Sequence, residues 1–339
     1  MTRLQAGLSG CGATAKTVVE AAMRAADWEI PACYDPDPAA ARDLGAGEPR
    51  RSFDDLLAAG VDFVVLTGPV STHEEQVRKA AEQGVHCLVH APFAPDLAAA
   101  RRMVESCEIH GVKLGVVVPE QEDPLVEQIR LLIDEDYFGP ITAVQTLAGD
   151  DRLLRSPPPA GDWRRDPAVI GSGAFLRLCT PHLHLCTWLC ARPIVELAAV
   201  ASSGFSVLDQ DAVSVSAVLR GGALWSMTGT HLARGRMIRL SGTDGEAMVD
   251  GHGLLLRGRS PVGGYLVDHP RAKEPRLFTH PELALRLQAL KTRLELHGRF
   301  ARWLDDRDDF PCTGEQAALD FAAVDAVREA VRSGARVGL

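Results

Sequence analysis

The residues best suited to chemistry stand near the start of the chain. Gly10-Cys11-Gly12-Ala13-Thr14-Ala15 reads G-x-G-x-x-A directly behind an apolar run at residues 4–8. That spacing suits a diphosphate: the first glycine makes a tight turn, the second lets backbone approach the phosphates, and the small last residue lets helix and strand touch. A helix opening at this point aims unsatisfied N–H groups at an anion. Asp35 follows Ala15 at the end of a second apolar run, about 20 residues on, where an acid accepts a hydrogen bond from a ribose 2'-hydroxyl. A carboxylate there repels a 2'-phosphate, so NAD is the expected cofactor. NADP is the alternative, with Arg42 and Arg50 as the cations that would favour it.

Such a loop works only on a parallel sheet, and the first 120 residues have that rhythm. Apolar runs at 4–8, 29–34, 63–67, 86–90 and 113–118 alternate with Ala-rich or charged amphipathic stretches. β-α alternation implies right-handed crossovers and helices on both faces. The pattern then changes. A helix is expected over 125–134, a strand over 141–147, and a long apolar helix over 174–190. A ladder of β-rich segments follows at 194–201, 212–219, 223–230, 237–240, 247–250 and 254–256, joined by short turns. The expected fold class is therefore α/β, with an N-terminal Rossmann domain over 1–120. The remainder, 121–339, is read as an α+β substrate and oligomerisation domain with a large, mostly antiparallel open-faced sheet. The last helix, 314–333, is expected to pack back toward the first domain.

Composition agrees with two ordinary domains, since 339 residues at about 150 per domain gives about two. Lys and Arg total 36 against 45 Asp and Glu, a net charge of -9, which repels a phosphate backbone and argues against nucleic acid. No apolar run reaches the ~20 residues of a membrane span, and the first residues lack a signal-peptide core. Eight cysteines without a CxxC pair fit reduced, buried thiols. The expected location is the cytoplasm, with no membrane contact.

Together these motifs resemble the Gfo/Idh/MocA family of NAD(P)-dependent oxidoreductases. Thr67-Gly68-Pro69 and Ser71-Thr72-His73 resemble the family's strand-end turn and helix-opening histidine. The segment from Gly84 to Ala94, with His90-Ala91-Pro92, resembles the one ending in Glu-Lys-Pro. Gly139-Pro140-Ile141, Trp163-Arg164-Arg165-Asp166-Pro167 with Gly171 and Gly173, Gly242-Thr243-Asp244-Gly245 and Thr313-Gly314-Glu315 fall in the family's order. The resemblance implies that Gly10, Cys11, Gly12, Ala13, Thr14, Ala15, Asp35, Thr67, Gly68, Pro69, His73, His90 and Pro92 hold the cofactor. It also implies a lysine, an aspartate and a histidine that handle the substrate hydroxyl. Those positions read Ala91, Arg177 and Pro181 here.

A positioned acid or base contributes ~10²- to 10⁴-fold, so other groups must act if turnover occurs. His90, His182 and His184 are the candidate bases. His184 lies seven residues beyond Arg177 and would share its face on a continuous helix, and Arg177 could hold an anionic or carbonyl oxygen. Thr180-Pro181 could instead cap and open a new helix. Cys179, His182, His184, Cys186 and Cys190 crowd one stretch but do not share a helix face, so no metal is assigned. Glu120-Gln121-Glu122-Asp123 reads as a solvated acidic loop or an acidic wall, balanced by Arg152, Arg155, Arg164 and Arg165. The basic run 284–303 reads as a solvated helix covering the sheet.

Three functions stay open: an oxidoreductase acting on a sugar-like or other small hydroxy or carbonyl compound with a non-standard catalytic set; a silent homologue that binds NAD(P) or a small ligand; and NAD-assisted elimination or hydrolysis. An exposed sheet face needs a cover, so a homodimer or homotetramer through the C-terminal sheet is expected.

Overall fold

The structure, a computed structural model, describes residues 3–171, 174–205, 210–250, 253–258 and 295–339. The chain divides into two compact units: Met1–Val118 with Ala168–Gly171 and Glu295–Phe321, and Pro119–Pro167 with Ser172–Leu294 and Ala322–Leu339.

In the first unit, β1 (Leu4–Ser9), β2 (Trp28–Tyr34), β3 (Glu48–Pro49), β4 (Phe63–Leu66), β5 (His86–His90) and β6 (Leu114–Val117) make one sheet, ordered β3-β2-β1-β4-β5-β6. Every pair is parallel. Strands such as β4 and β6 are buried at every residue, because a parallel sheet carries helices on both faces. The order reverses between β1 and β4, which places a switch point at the carboxyl ends of those strands, where ligands of such sheets bind.

The helices are α1 (Ala13–Arg24), α2 (Pro38–Asp43), α3 (Phe53–Leu57), α4 (His73–Glu82) and α5 (Leu97–His110). In α1 the residues Ala15, Val18 and Ala21 recur at helical spacing and are buried. Asp96 caps α5 by accepting from the Ala99 N–H, 2.8 Å. One core cluster joins Ala15 and Val18 with Trp28, Phe63, Leu88, Phe300 and Phe310.

In chain order beyond β6, α6 (Pro124–Asp134) precedes β7 (Ile141–Gly149), followed by α7 (Arg152–Arg155), α8 (Pro167–Ile170) and α9 (Thr180–Cys190). Next come β8 (Ile194–Ser202), β9 (Ala212–Leu219), β10 (Leu224–Thr230), β11 (Gly235–Gly242), β12 (Gly245–Asp250) and β13 (Gly253–Gly258). Beyond them lie α10 (Leu296–Leu304), α11 (Gly314–Ser333) and β14 (Val337–Gly338). The second sheet is ordered β13-β12-β11-β7-β10-β9-β8-β14. Its pairs are antiparallel except β7 with β10.

Several expectations need correction. The expected basic helix over 284–303 starts at Leu296 among the described residues, and 284–294 lie outside them, as does Gly173. What is seen of that helix, α10, is not solvated. It buries Leu296, His297, Gly298, Phe300 and Ala301 in the first unit's core.

The apolar stretch from 174 is also not one regular helix. Phe175–Cys179 is a π turn that runs straight into α9. Thr180 does not cap a new helix; its hydroxyl donates back to the Leu176 carbonyl at 2.6 Å. Pro181 explains the turn, since it has no N–H and its ring would strike the carbonyl four residues back, so the helix widens there.

Candidate functional site

The fingerprint loop of the first unit is built around two glycines. Gly10 has φ +91°, and a Cβ there would lie 2.5 Å from the Gly68 nitrogen and 2.9 Å from the Thr67 carbonyl carbon. The Thr67 hydroxyl donates to the Gly10 carbonyl at 2.6 Å. The turn after β1 is thus closed against the turn after β4. Gly12 heads α1 with no side-chain cap, and nothing stands within 4 Å of its Cβ direction. Gly12, Ala13 and Thr14 are exposed, whereas Cys11 and Ala15 are buried. An uncapped helix start beside an open approach fits a diphosphate.

Asp35 follows β2 and steadies this loop. One carboxylate oxygen accepts from the Cys11 N–H at 2.7 Å and the other from the Asp37 N–H at 2.9 Å. Each oxygen keeps a second lone pair for a ribose hydroxyl. Arg50, one of the two cations that would favour a 2'-phosphate, is paired with Glu48 at 2.8 Å. The chain's own groups therefore fit NAD.

His73 opens α4 and is only 1% exposed. Its Nδ1 lies 3.1 Å from the Phe93 carbonyl and its Nε2 3.1 Å from the Gly68 carbonyl. Both nitrogens face backbone carbonyls and the neutral ring donates to one of them, so its place is between the segment after β5 and the turn after β4. Pro92 follows a cis Ala91–Pro92 bond.

His90 closes β5 and is 8% exposed. Its Nε2 lies 2.9 Å from Nε2 of His297, and His297 Nδ1 lies 2.7 Å from Oε1 of Glu295. The same carboxylate caps α10 by accepting from the His297 and Gly298 N–H groups, at 2.9 and 2.7 Å. Neither Glu295 nor His297 stands out in the sequence. A glutamate two residues before a histidine at a helix start is the only local signal, and it does not point to a strand 207 residues away.

The other candidates lie in the second unit. Arg177 sits in the π turn with its side chain 35% exposed, and the nearest carboxylate is Asp150 at 3.5 Å. Asp150 is held more firmly by Arg152, at 2.7 Å. Burial alone would raise the Asp150 carboxyl, but hydrogen bonds from Arg152, helped by the charge of Arg177, bring it down to about 2. Among the described residues, Arg177 is thus a half-exposed cation paired only at 3.5 Å with a carboxylate that Arg152 holds more closely.

His182 is buried beside Glu120 at 3.6 Å. His184 is 2% exposed, buried like its neighbours from Thr180 to Thr187, and regular helical spacing no longer puts it on the face of Arg177. The π turn supplies the reason, since one extra residue rotates everything after it by about 100°.

The acidic stretch is neither a solvated loop nor a bare wall. Gln121 is buried, Asp123 caps α6 by accepting from the Leu125 N–H at 2.8 Å, and Arg236 pairs with Asp123 at 2.7 Å. Arg152, Arg155 and Arg164 pair instead with Asp150, Asp151 and Asp162, and Arg165 donates to the Pro158 carbonyl.

Burial lowers His73 below the ordinary imidazole value against the pull of the Phe93, Gly68 and Pro92 carbonyls. It lowers His90 further, reinforced by His297 and His73. Burial likewise lowers His182 and His231. With folded values depressed, the unfolded chain takes up protons first as pH falls. Their contribution is complete above about pH 6.5 and is lost below it, by up to about 1.4 kcal/mol per pH unit for each histidine. Urea midpoints at pH 7.5 and 5.5 should differ accordingly, and equal midpoints would contradict the buried neutral assignment.

Comparison with known proteins agrees with this geometry. Residues 4–118 match the model of the oxidoreductase family with the NAD-binding Rossmann fold, and residues 126–248 match the GFO/IDH/MocA C-terminal domain. Among curated relatives, the myo-inositol dehydrogenase Hyg17 of Streptomyces leeuwenhoekii is 28% identical over 171 residues, 49% of this chain and 50% of that protein. A D-apiose dehydrogenase of Rhizobium rhizogenes is 34% identical over 145 residues, 41% of this chain and 42% of that protein. The chain thus spans about half the length of these relatives or less.

Among solved structures, the WlbA dehydrogenase of Bordetella pertussis, in complex with NADH and UDP-GlcNAcA, aligns with a TM-score of 0.84 at 22% identity. That alignment covers 99% of this chain and 98% of that one. GenD2 from gentamicin A biosynthesis, in complex with NAD, aligns with a TM-score of 0.79 at 20% identity, covering 100% and 97%. Likeness at that identity establishes the fold. The family models, falling on the loop and sheets described above, establish that this chain belongs to the Gfo/Idh/MocA oxidoreductase family, with an NAD-binding Rossmann domain at its amino-terminal end.

Proposed function

We propose that the chain is an NAD-dependent oxidoreductase acting on a sugar-like or other small hydroxy or carbonyl compound. The observation that carries this is the loop at Gly10, closed on Gly68 with the start of α1 left uncapped and open. When bound, NAD supplies the hydride acceptor; the protein must hold it, orient a substrate carbon and take up one proton. The N–H groups of Gly12 to Ala15 would hold the phosphates, and Asp35 the adenosine ribose. Thr67, Gly68 and Pro69 would border it, and His90 would take the proton. Arg177, charged and paired only at 3.5 Å with Asp150, would hold an anionic or carbonyl oxygen of the substrate. The names of the relatives, inositol and apiose dehydrogenases, support a polyol or sugar. No helix among the described residues is long and apolar enough to cross a membrane. The exposed Val200 and Leu224 on the second sheet support a homodimer or homotetramer through that sheet.

Stopped-flow absorbance of NAD⁺ mixed with enzyme and a panel of polyols, aldoses, amino sugars and sugar acids tests the activity. Reduction with at least one compound is expected, and none, despite demonstrated NAD⁺ binding, would defeat it. Asp35→Asn keeps an acceptor for the Cys11 N–H but removes the charge. NAD⁺ affinity by fluorescence titration should fall about tenfold, and its preference over NADP⁺ should shrink. An unchanged preference would remove Asp35 from the ribose.

One observation favours a second reading, a homologue that binds without turnover. The helix that resembles the family's catalytic one carries Pro181 in place of a base, and its histidines, His182 and His184, are buried. The same panel separates the two.

A further inference from the structure

Outside the fingerprint loop, the first unit carries a line of three ionisable groups that its fold alone does not require. Glu295 accepts from two backbone N–H groups, His297 on Oε1 and Gly298 on Oε2, and Oε1 also lies 2.7 Å from His297 Nδ1. Both oxygens accept from backbone N–H groups, and these bonds help hold the Glu295 carboxyl below its ordinary value against burial; a carboxylate facing Nδ1 takes its hydrogen bond from a proton on that nitrogen. A neutral His297 then has only a lone pair at Nε2, and the 2.9 Å contact from His90 Nε2 must be a donation by His90. Nδ1 of His90 is left with its lone pair. The line is therefore directed, with carboxylate at one end and basic nitrogen at the other.

Its surroundings hold it in place. Trp28 stacks on His297 with ring centroids 6.1 Å apart, and the His90 and His297 rings lie 5.1 Å apart. The ionisable groups facing His90 are His297 from α10 and His73 from the start of α4. His73 is itself occupied by two carbonyls. His90 is the last residue of β5, at the carboxyl edge of the sheet and one strand from the β4 turn that closes on Gly10. That edge is where ligands of parallel sheets bind.

We propose that Glu295, His297 and His90 form a proton relay whose outer end is Nδ1 of His90. The proposal rests on the dehydrogenase reading above for its purpose. Oxidation of a secondary alcohol sends one hydrogen and two electrons to nicotinamide and leaves the hydroxyl proton for the protein. In the relay the substrate O–H bond breaks and a bond from hydrogen to Nδ1 of His90 forms. The Nε2 proton of His90 then passes to Nε2 of His297. The positive charge comes to rest on His297 against the Glu295 carboxylate, and the reverse sequence returns the proton for carbonyl reduction. His90 is the proton acceptor; His297 and Glu295 position and load it. Where the family's pattern has a lysine, this chain has Ala91, and the relay supplies the proton path from the residue beside it.

The first test needs no substrate. In apoprotein with isotopically labelled histidine, long-range proton–nitrogen NMR should show His297 as the Nδ1–H tautomer and His90 as the Nε2–H tautomer. His297→Phe keeps a ring against Trp28 but removes the acceptor, and the His90 tautomer should no longer be fixed. Glu295→Gln removes the charge, and the His297 proton should no longer be fixed on Nδ1. Both variants should bind NAD⁺ within about twofold of the native protein. With any compound reduced in the panel above, both should lower kcat by roughly 10²-fold and move the acidic limb of its pH profile, which a merely structural contact would not do. His90 found with its proton on Nδ1, or a native pH profile in both variants, would overturn the relay. Failure of every panel compound would instead remove the dehydrogenase reading, while the NMR result still decides the line of protons.

Discussion

Gly10→Ala should cost roughly 2–4 kcal/mol of stability and abolish measurable NAD⁺ binding. Two penalties add. At φ +91° a Cβ meets the backbone strain of the left-handed region, about 1–2 kcal/mol. It also lands 2.5 Å from the Gly68 nitrogen and 2.8 Å from its Cα, both backbone atoms that a rotamer change cannot clear. The turns after β1 and β4 must then separate, and the Thr67 hydrogen bond to the Gly10 carbonyl goes with them. Gly84→Ala separates the two effects, because Gly84 has φ +73° but nothing within 4 Å of its Cβ direction. Urea unfolding should show the smaller, strain-only loss there, with NAD⁺ binding intact. Equal losses at the two positions would mean that the close approach at Gly68 contributes nothing.

That contrast marks what a sequence can disclose. The glycine fingerprint and the five apolar runs were legible because each depends on residues close in sequence: a turn, a helix start, a strand buried on both faces. The strands that escaped notice, Glu48–Pro49 and Val337–Gly338, are two residues long and carry no apolar run. Two-residue strands are defined by the partner they pair with, not by their own composition.

The π turn at Phe175–Cys179 was half visible. Pro181 announced that something breaks the regular helix, but a capped new helix and a widened turn satisfy the same missing N–H. Only the structure distinguishes them, and the difference separates His184 from Arg177. The ion pairs of Arg152, Arg155 and Arg164 went to aspartates in or near their own turns. The acidic run at 120–123 instead drew Arg236, 113 residues from Asp123. Local charge counting cannot rank a near partner against a distant one that the fold delivers. The line from Glu295 to His90 is the extreme case, since its link from His297 to His90, 207 residues apart, is created only by α10 settling onto the sheet.

Gly12→Asp should move binding and stability in opposite directions, and that opposition makes it the sharper probe of the loop. Gly12 has ordinary backbone angles for a helix N-cap, φ −79° and ψ −159°, and open space around its Cβ direction, so a side chain fits without strain. Aspartate is among the best N-caps, and its carboxylate sits at the positive end of the helix. Replacing glycine there should gain a few tenths of a kcal/mol to about 1 kcal/mol, visible as a Tm equal to or slightly above that of the native protein. The same carboxylate takes the N–H groups a diphosphate would use and adds like charge beside it. NAD⁺ affinity by calorimetry should therefore fall more than about 100-fold, equivalent to about 2.7 kcal/mol. A variant with raised Tm and undiminished NAD⁺ affinity would show that the phosphates lie elsewhere, because no other consequence of filling this space leaves the fold stronger and the anion site untouched.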